Sequence, residues 1–109
     1  MNYEEMSDLQ INLLVANAIG VDAAENSGVV YGAVKHEGDN VVSVMGVVDY
    51  CNNPSDAWPI IVANRINVYA SEGPDFMPWM AGCGGMVASN RNPIRAAMIV
   101  FLMMQEQAK

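Results

Sequence analysis

Basic residues are scarce in this sequence: five Lys and Arg stand against twelve Asp and Glu, for a net charge of −7. Direct contact with a phosphate backbone needs clustered cations, so nucleic acid is disfavoured as a partner. Histidine occurs once, as His36, and cysteine twice, as Cys51 and Cys83, without CxxC spacing. Two such cysteines make no disulfide framework, and both thiols are expected to be reduced in a cytoplasm. The apolar run Ala96 to Met104 is nine residues, under half a bilayer core in helical form, so no membrane crossing is expected. The opening residues Met1-Asn2-Tyr3-Glu4-Glu5 are acidic rather than basic, unlike a signal peptide. No repeat or low-complexity tract interrupts the chain.

What is abundant is apolar: 52% of the residues are hydrophobic, which argues for a folded core rather than disorder. The length fits one domain over residues 1–109. Nine methionines are many, and filling of irregular core gaps is their ordinary use. The charge is uneven. Eight acids up to Asp49 face only Lys35, whereas the four acids beyond it balance four bases. The ordinary meaning of such an acidic half is a solvated surface.

The last third of the chain carries the strongest local signals. Asn92 is a good N-cap, and Pro93 suits a first helical position that needs no amide donor. The helix that follows is apolar nearly all round and is expected to be buried on more than one side. A helical wheel puts Ile94, Ala97, Met98, Phe101 and Met104 on a sheet-facing side and Ile99, Val100 and Met103 behind. The back would be covered by the first helix or by a second copy of the chain.

Near the other end, Ser7-Asp8-Leu9-Gln10 reads as a capping box, opening a helix that runs to Ile19 and stops at Gly20. Leu9, Leu13 and Ala16 would line its inner face, widened by Ile11, Leu14, Val15 and Ala18. Val21 to Gly28 reads as a connector. Two valine-rich runs, Val29–Lys35 and Val41–Asp49, flank the turn-like His36–Asn40 and suggest a hairpin, the second run being a central strand. Gly32 and Gly46 mark bulges or close contacts. Pro59 would clash inside a helix, so the short helix over Asp56–Arg65 is expected to begin within a residue or two of it. Short strands follow at Asn67–Ser71 and Phe76–Ala81, then a flexible Gly82–Gly85. The fold class is α+β: a small, mainly antiparallel sheet packed by an N-terminal helix, a short middle helix and a long apolar C-terminal helix.

Three stretches carry a family resemblance: Met1-Asn2-Tyr3 with Ser7-Asp8 and Ile11-Asn12; Asp56-Ala57-Trp58-Pro59-Ile60-Ile61 with Asn64-Arg65-Ile66; and Asn92-Pro93-Ile94-Arg95-Ala96-Ala97-Met98. Together they resemble the NinX-like family of small phage and prophage proteins, a family of unknown function. The resemblance implies a phage or prophage accessory gene product in a bacterial cytoplasm. It supplies no catalytic residues.

No catalytic set, metal site or cofactor is expected. His36 with Glu37 and Asp39 matches no metal loop and reads as a solvated turn. Gly82-Cys83-Gly84-Gly85 lacks the Lys-Ser or Lys-Thr of a phosphate loop, and Cys83 has no neighbouring base. Asp56 and Trp58 flank a helix start; the ordinary expectation is an Asp56 cap and a Trp58 packed on the sheet. Arg91 and Arg95 would make surface ion pairs or meet an anion. The leading reading is a non-enzymatic protein-interaction module with Asp56, Trp58, Trp79 and Arg95 on its contact surface, its partner a host or phage protein. One alternative is an acidic DNA mimic that inhibits a host DNA-binding enzyme. Another is a small-molecule binder or enzyme that uses Asp56, Cys83 and Arg95 together.

Overall fold

A computed structural model describes residues 2–33, 36–37, 40–41, 46–71 and 78–108. A 3-10 turn, Tyr3–Glu5, precedes helix α1, Asp8–Ala18. The capping box forms as the sequence indicates: Gln10 N donates to Ser7 Oγ at 3.2 Å, and Ser7 N to Gln10 Oε1 at 3.0 Å. Gly20, at φ +79°, closes α1, with Val21 N donating to Ala16 O and Gly20 N to Asn17 O. This is the paired hydrogen bonding of a Schellman stop. The inward stripe of α1 differs from the expected one. Ile11, Asn12, Val15 and Ala16 are buried, Leu9, Leu13 and Leu14 are half-buried, and Ala18 is exposed.

The supposed connector after α1 is a strand, β1, Asp22–Asn26, paired antiparallel with β2, Val29–Ala33. Ser27 and Gly28 both have positive φ (56° and 80°), the pattern of a type I′ hairpin turn, whose twist matches that of its strands. Four of the five β1 residues are exposed, so its pairing rests on backbone bonds that hydrophobic patterning does not report. The short β3, His36–Glu37, pairs with β4, Asn40–Val41, across the expected turn, whose Gly38 and Asp39 lie outside the described residues. The two valine runs do meet, since β5, Gly46–Val47, pairs with β2 through Tyr31↔Val47 and Gly32↔Gly46. However, β5 is exposed at a sheet edge, and the central strand is β2. A Cβ on Gly32 would lie 3.0 Å from Val48 Cγ1, so its bare backbone permits a close contact. Gly46 has no such neighbour.

Helix α2 spans Pro54–Asn64, and a second sheet follows as a meander of β6, Asn67–Ala70, β7, Trp79–Cys83, and β8, Met86–Asn90. The supposedly flexible glycines join β7 to β8: Gly84 and Gly85 have φ of 59° and 87°, a second I′-type turn. Thus the α+β class holds, with the strands divided among the described residues into two three-stranded antiparallel sheets and the small β3–β4 pair.

Helix α3, Pro93–Gln107, starts as the sequence indicates, with Asn92 Oδ1 accepting from Ile94 N and Arg95 N. It lies on the β6–β8 sheet and also packs against α1 and α2, while α1 in turn packs on β1 and β2. Every residue from Ala96 to Leu102 is at most 4% exposed. The back of α3 is therefore covered within the chain, by α1 and α2, and needs no second copy to bury it. The wheel assignment also shifts, because Ile99 and Met103 line a cleft with Val87 and Ala88 of β8 and so face the sheet side.

Candidate partner-binding surface

Of the residues of the expected contact surface, Asp56 and Trp58 lie in the first turns of α2, Trp79 on β7 and Arg95 in the first turn of α3. Asn53, not Asp56, is the N-cap: its Oδ1 accepts from Ser55 N at 3.0 Å, and Pro54 takes the first helical position. Pro59 sits in the helix interior, five residues after the start rather than beside it. Its missing N–H frees the Ser55 carbonyl, and Ser55 and Pro59 are both exposed, so water satisfies what the helix does not. Ala57, Ile60 and Ile61 are buried and hold α2 against α3.

The outward face of α2 is apolar. Trp58 is 62% exposed and Val62, one turn further on, is 55% exposed, with Pro59 and Ala63 exposed beside them. Trp58 does not pack on the sheet. It stands two positions after Asp56, a rotation of about 200° around the helix at 3.6 residues per turn.

Asp56 points the other way, into a network of amides and carboxylates. Its Oδ2 accepts from Asp49 N at 2.9 Å. The Asp49 carboxylate accepts from Asn12 Nδ2 at 3.0 Å and from Asn52 Nδ2, and Asn52 Nδ2 also reaches Asp8 Oδ2 at 3.1 Å. Asn92 Nδ2 donates to Asn52 Oδ1 and to Cys51 O. The network thus ties together the starts of all three helices, and Asp8 and Asp56, in the first turns of α1 and α2, offset the positive ends of those two. Asn12, buried in α1, donates through one amide atom and accepts from Cys51 N through the other.

Arg95 belongs to the same junction and is 9% exposed. One guanidinium nitrogen donates to Asp8 Oδ1; the other donates to Met6 O at 2.6 Å and Tyr3 O at 3.3 Å. The expected surface ion pair is therefore a largely buried one on the arginine side, and this guanidinium is spent internally. Trp79 opens β7 opposite Ala70 and Asn90 and is 37% exposed. Of the four expected surface residues, Asp56 and Arg95 meet through the junction. The two indoles present area to solvent on separate elements.

Neither thiol is set up for chemistry. Burial pushes the Cys51 thiol up to about 12, the Asp8 charge adds to this, and Arg95 opposes it. Cys83 is half-buried, its Sγ 3.6 Å from Asn64 O at the last residue of α2. Asp56 and Asn64 are eight residues apart along that helix, about 12 Å at 1.5 Å per residue. Asp56 and Cys83 therefore do not converge. The His36, Glu37 and Asp39 side chains lie outside the described residues. Among the described residues, no group of three or more His, Cys, Asp or Glu could hold a metal, and no helix is long and apolar enough to cross a membrane.

Sequence reasoning missed the roles of Asn12 and Asp49. The available signal was Asn12 itself, an amide interrupting the apolar stripe of α1. No curated protein matches the chain. Residues 2–105 do match the family described as "Bacteriophage P22, NinX". With nearly the whole chain matched, this protein belongs to the P22 NinX family of phage proteins.

Proposed function

We propose that this phage accessory protein is non-enzymatic and acts in the bacterial cytoplasm by docking on a host or phage protein through the outward face of α2. The observation that carries the reading is the exposure of Trp58 and Val62, adjacent along one uncharged helix face whose other side is anchored by Ala57, Ile60 and Ile61. A rigid indole on a packed helix is the usual form of a binding hot spot. Trp79, partly exposed on β7, extends the same kind of surface. Asp56 and Arg95 contribute by holding the frame rather than by touching a partner.

The experiment is a pull-down from infected-host lysate with the parent protein and a Trp58→Ala variant of unchanged circular dichroism. A specific co-purifying protein that is lost with the variant supports the reading. Equal capture by both, or capture by neither, refutes it.

The geometry favours the other readings less. A DNA mimic needs its carboxylates free, yet Asp8 and Asp49 are bonded to Arg95, Asn12 and Asn52. An enzyme using Asp56, Cys83 and Arg95 would need groups that instead lie toward opposite ends of α2.

A further inference from the structure

The second sheet has the strand order β6-β7-β8, so β8 pairs with β7 on one side and forms an edge on the other. The register fixes which β8 groups point outward. A two-residue I′ turn leaves its flanking residues, Cys83 and Met86, as a pair that exchanges both backbone bonds. Such pairs alternate with open ones along an antiparallel ladder. Met86, Ala88 and Asn90 therefore bond toward β7, and the N–H and C=O groups of Val87 and Ser89 point away from it. The other ladder of β7 keeps the same phase. Ser71 N donates to Pro78 O at 2.7 Å, which assigns Met80 and Gly82 to β6 and leaves Ala81 and Cys83 for β8. Among the described residues, none outside the sheet bonds to the backbone of Val87 or Ser89.

Proteins ordinarily blunt such an edge with charge, proline or brevity. Strand β1 carries Asp22 and Glu25, and β5 has two residues. Strand β8 is five residues, Met86-Val87-Ala88-Ser89-Asn90, with no charge and no proline. Beside it lies an open cleft of about 280 Å³, walled on the far side by Ile99 and Met103 of α3 and by Tyr3 and Glu4. A strand edge that faces a helix across a cleft can take in an added strand. Backbone bonds hold such a segment, and its alternate side chains drop into the cleft.

We propose that the β8 edge accepts an extended segment of a partner protein as a fourth strand, bonded to the Val87 and Ser89 backbone. Alternate side chains of that segment enter the cleft, apolar ones against Ile99 and Met103 and a basic one against Glu4 or Glu106. Those two acids are the only charged residues lining the cleft among those described. Charge also decides between a foreign strand and a second copy of this chain. Pairing β8 with itself would bring two sets of Glu4 and Glu106 to one interface, between chains of −7 each, with no cation in either cleft to offset them. The β8 edge shares no residue with the α2 face and does not depend on that reading.

The test titrates the full protein into a fluorescein-labelled, end-capped peptide, Lys-Thr-Val-Thr-Val-Thr-Lys, at physiological salt and follows anisotropy. Its lysines and valines share one face in either strand direction. Saturable binding is expected, at least about tenfold weaker when Glu replaces both lysines. Two further peptides are N-methylated, one at its valines and one at its threonines. An added strand pairs along one edge, so one of these should bind at least about tenfold more weakly than the other. Ser89→Pro removes an outward N–H at an edge position that tolerates proline and should weaken binding by a similar factor. Ala70→Pro, outward on the opposite edge at β6, should change affinity by less than about twofold. In the native protein, amide hydrogen exchange at Val87 and Ser89 should slow when the peptide saturates. This readout and the methylated peptides need no variant to fold. Absence of saturable binding overturns the proposal. So do equal affinities for the two methylated peptides, equal effects of the two proline variants, undiminished binding of the Glu peptide, or unchanged exchange at Val87 and Ser89. A peptide-free dimer that Ser89→Pro dissociates in sedimentation would assign the edge to a second copy instead and likewise overturn it. Trp58→Ala should leave peptide binding unchanged, which separates failure here from failure of the α2 surface.

Discussion

Replacing Arg95 with Met decides whether that side chain serves the fold or a ligand. Met keeps much of the apolar stem and removes every hydrogen-bond donor. In the native protein those donors satisfy Tyr3 O and Met6 O and pair with Asp8. A hydrogen bond to a charged group contributes about 1.5–3 kcal/mol where its loss leaves a buried partner unsatisfied. The Asp8 side chain is 48% exposed and can rehydrate, so its share falls toward the surface-pair range of about 0–1 kcal/mol. With two carbonyls at the low end and the discounted pair, the loss should be about 3–4 kcal/mol. That is a large part of the about 5–15 kcal/mol available to an ordinary domain. Urea unfolding monitored by tryptophan fluorescence measures it, and the midpoint should fall with little change in slope. Asp8→Asn alone should cost about 1 kcal/mol or less, because the exposed partner is the easier one to resolvate. A loss below about 1 kcal/mol for Arg95→Met would refute the structural role and reopen Arg95 as a ligand-binding group.

Further perturbations probe other parts of the fold. Phe101→Ala, at a site 3% exposed in the middle of α3, should cost about 3–5 kcal/mol; a melting temperature within a degree or two of the parent would show α3 to be peripheral. Arg65 ends α2 at φ +53°, where a side chain is disfavoured, so Arg65→Gly should stabilise by about 0.5–1 kcal/mol in thermal melts, and destabilisation would count against the left-handed cap. The Cys51 thiol rises from an ordinary 9.0 to about 12, so between those values the folded chain holds a proton that the unfolded chain has lost. Stability should therefore fall as pH rises through that window, less so in Cys51→Ala after correction for the cavity, and native Cys51 should resist iodoacetamide at pH 8 while urea-unfolded protein reacts.

The candidate site is legible in the sequence only in fragments. Trp58 and Trp79 are identifiable as aromatics with binding potential, but placing Pro59 at the helix start gives Trp58 the wrong environment. Pro54 takes that place, with Asn53 as cap, and the interior Pro59 is tolerated because its turn faces water. Strand β1 is hidden for a different reason: its residues are polar and exposed, and its pairing is a property of β2 across the Ser27-Gly28 turn. Strand β8 likewise depends on the Gly84-Gly85 turn, whose two adjacent glycines read as looseness but lock a hairpin.

The sequence by itself determined the helix boundaries at Ser7, Gly20 and Asn92, the apolar character of α3 and the family. Caps and stops are local, each involving groups within a few residues, so their chemistry is written in adjacent letters. Tertiary structure decided the fates of Arg95 and Asn12, the division of strands into two sheets and the cover over α3. Arg95 finds its partners 87 to 92 residues away, and Asn12 finds Asp49 at a separation of 37. Whether a polar side chain is a free surface group or a bolt between helix starts depends on which distant carbonyl or carboxylate the fold brings beside it. Local pattern carries no record of that distance.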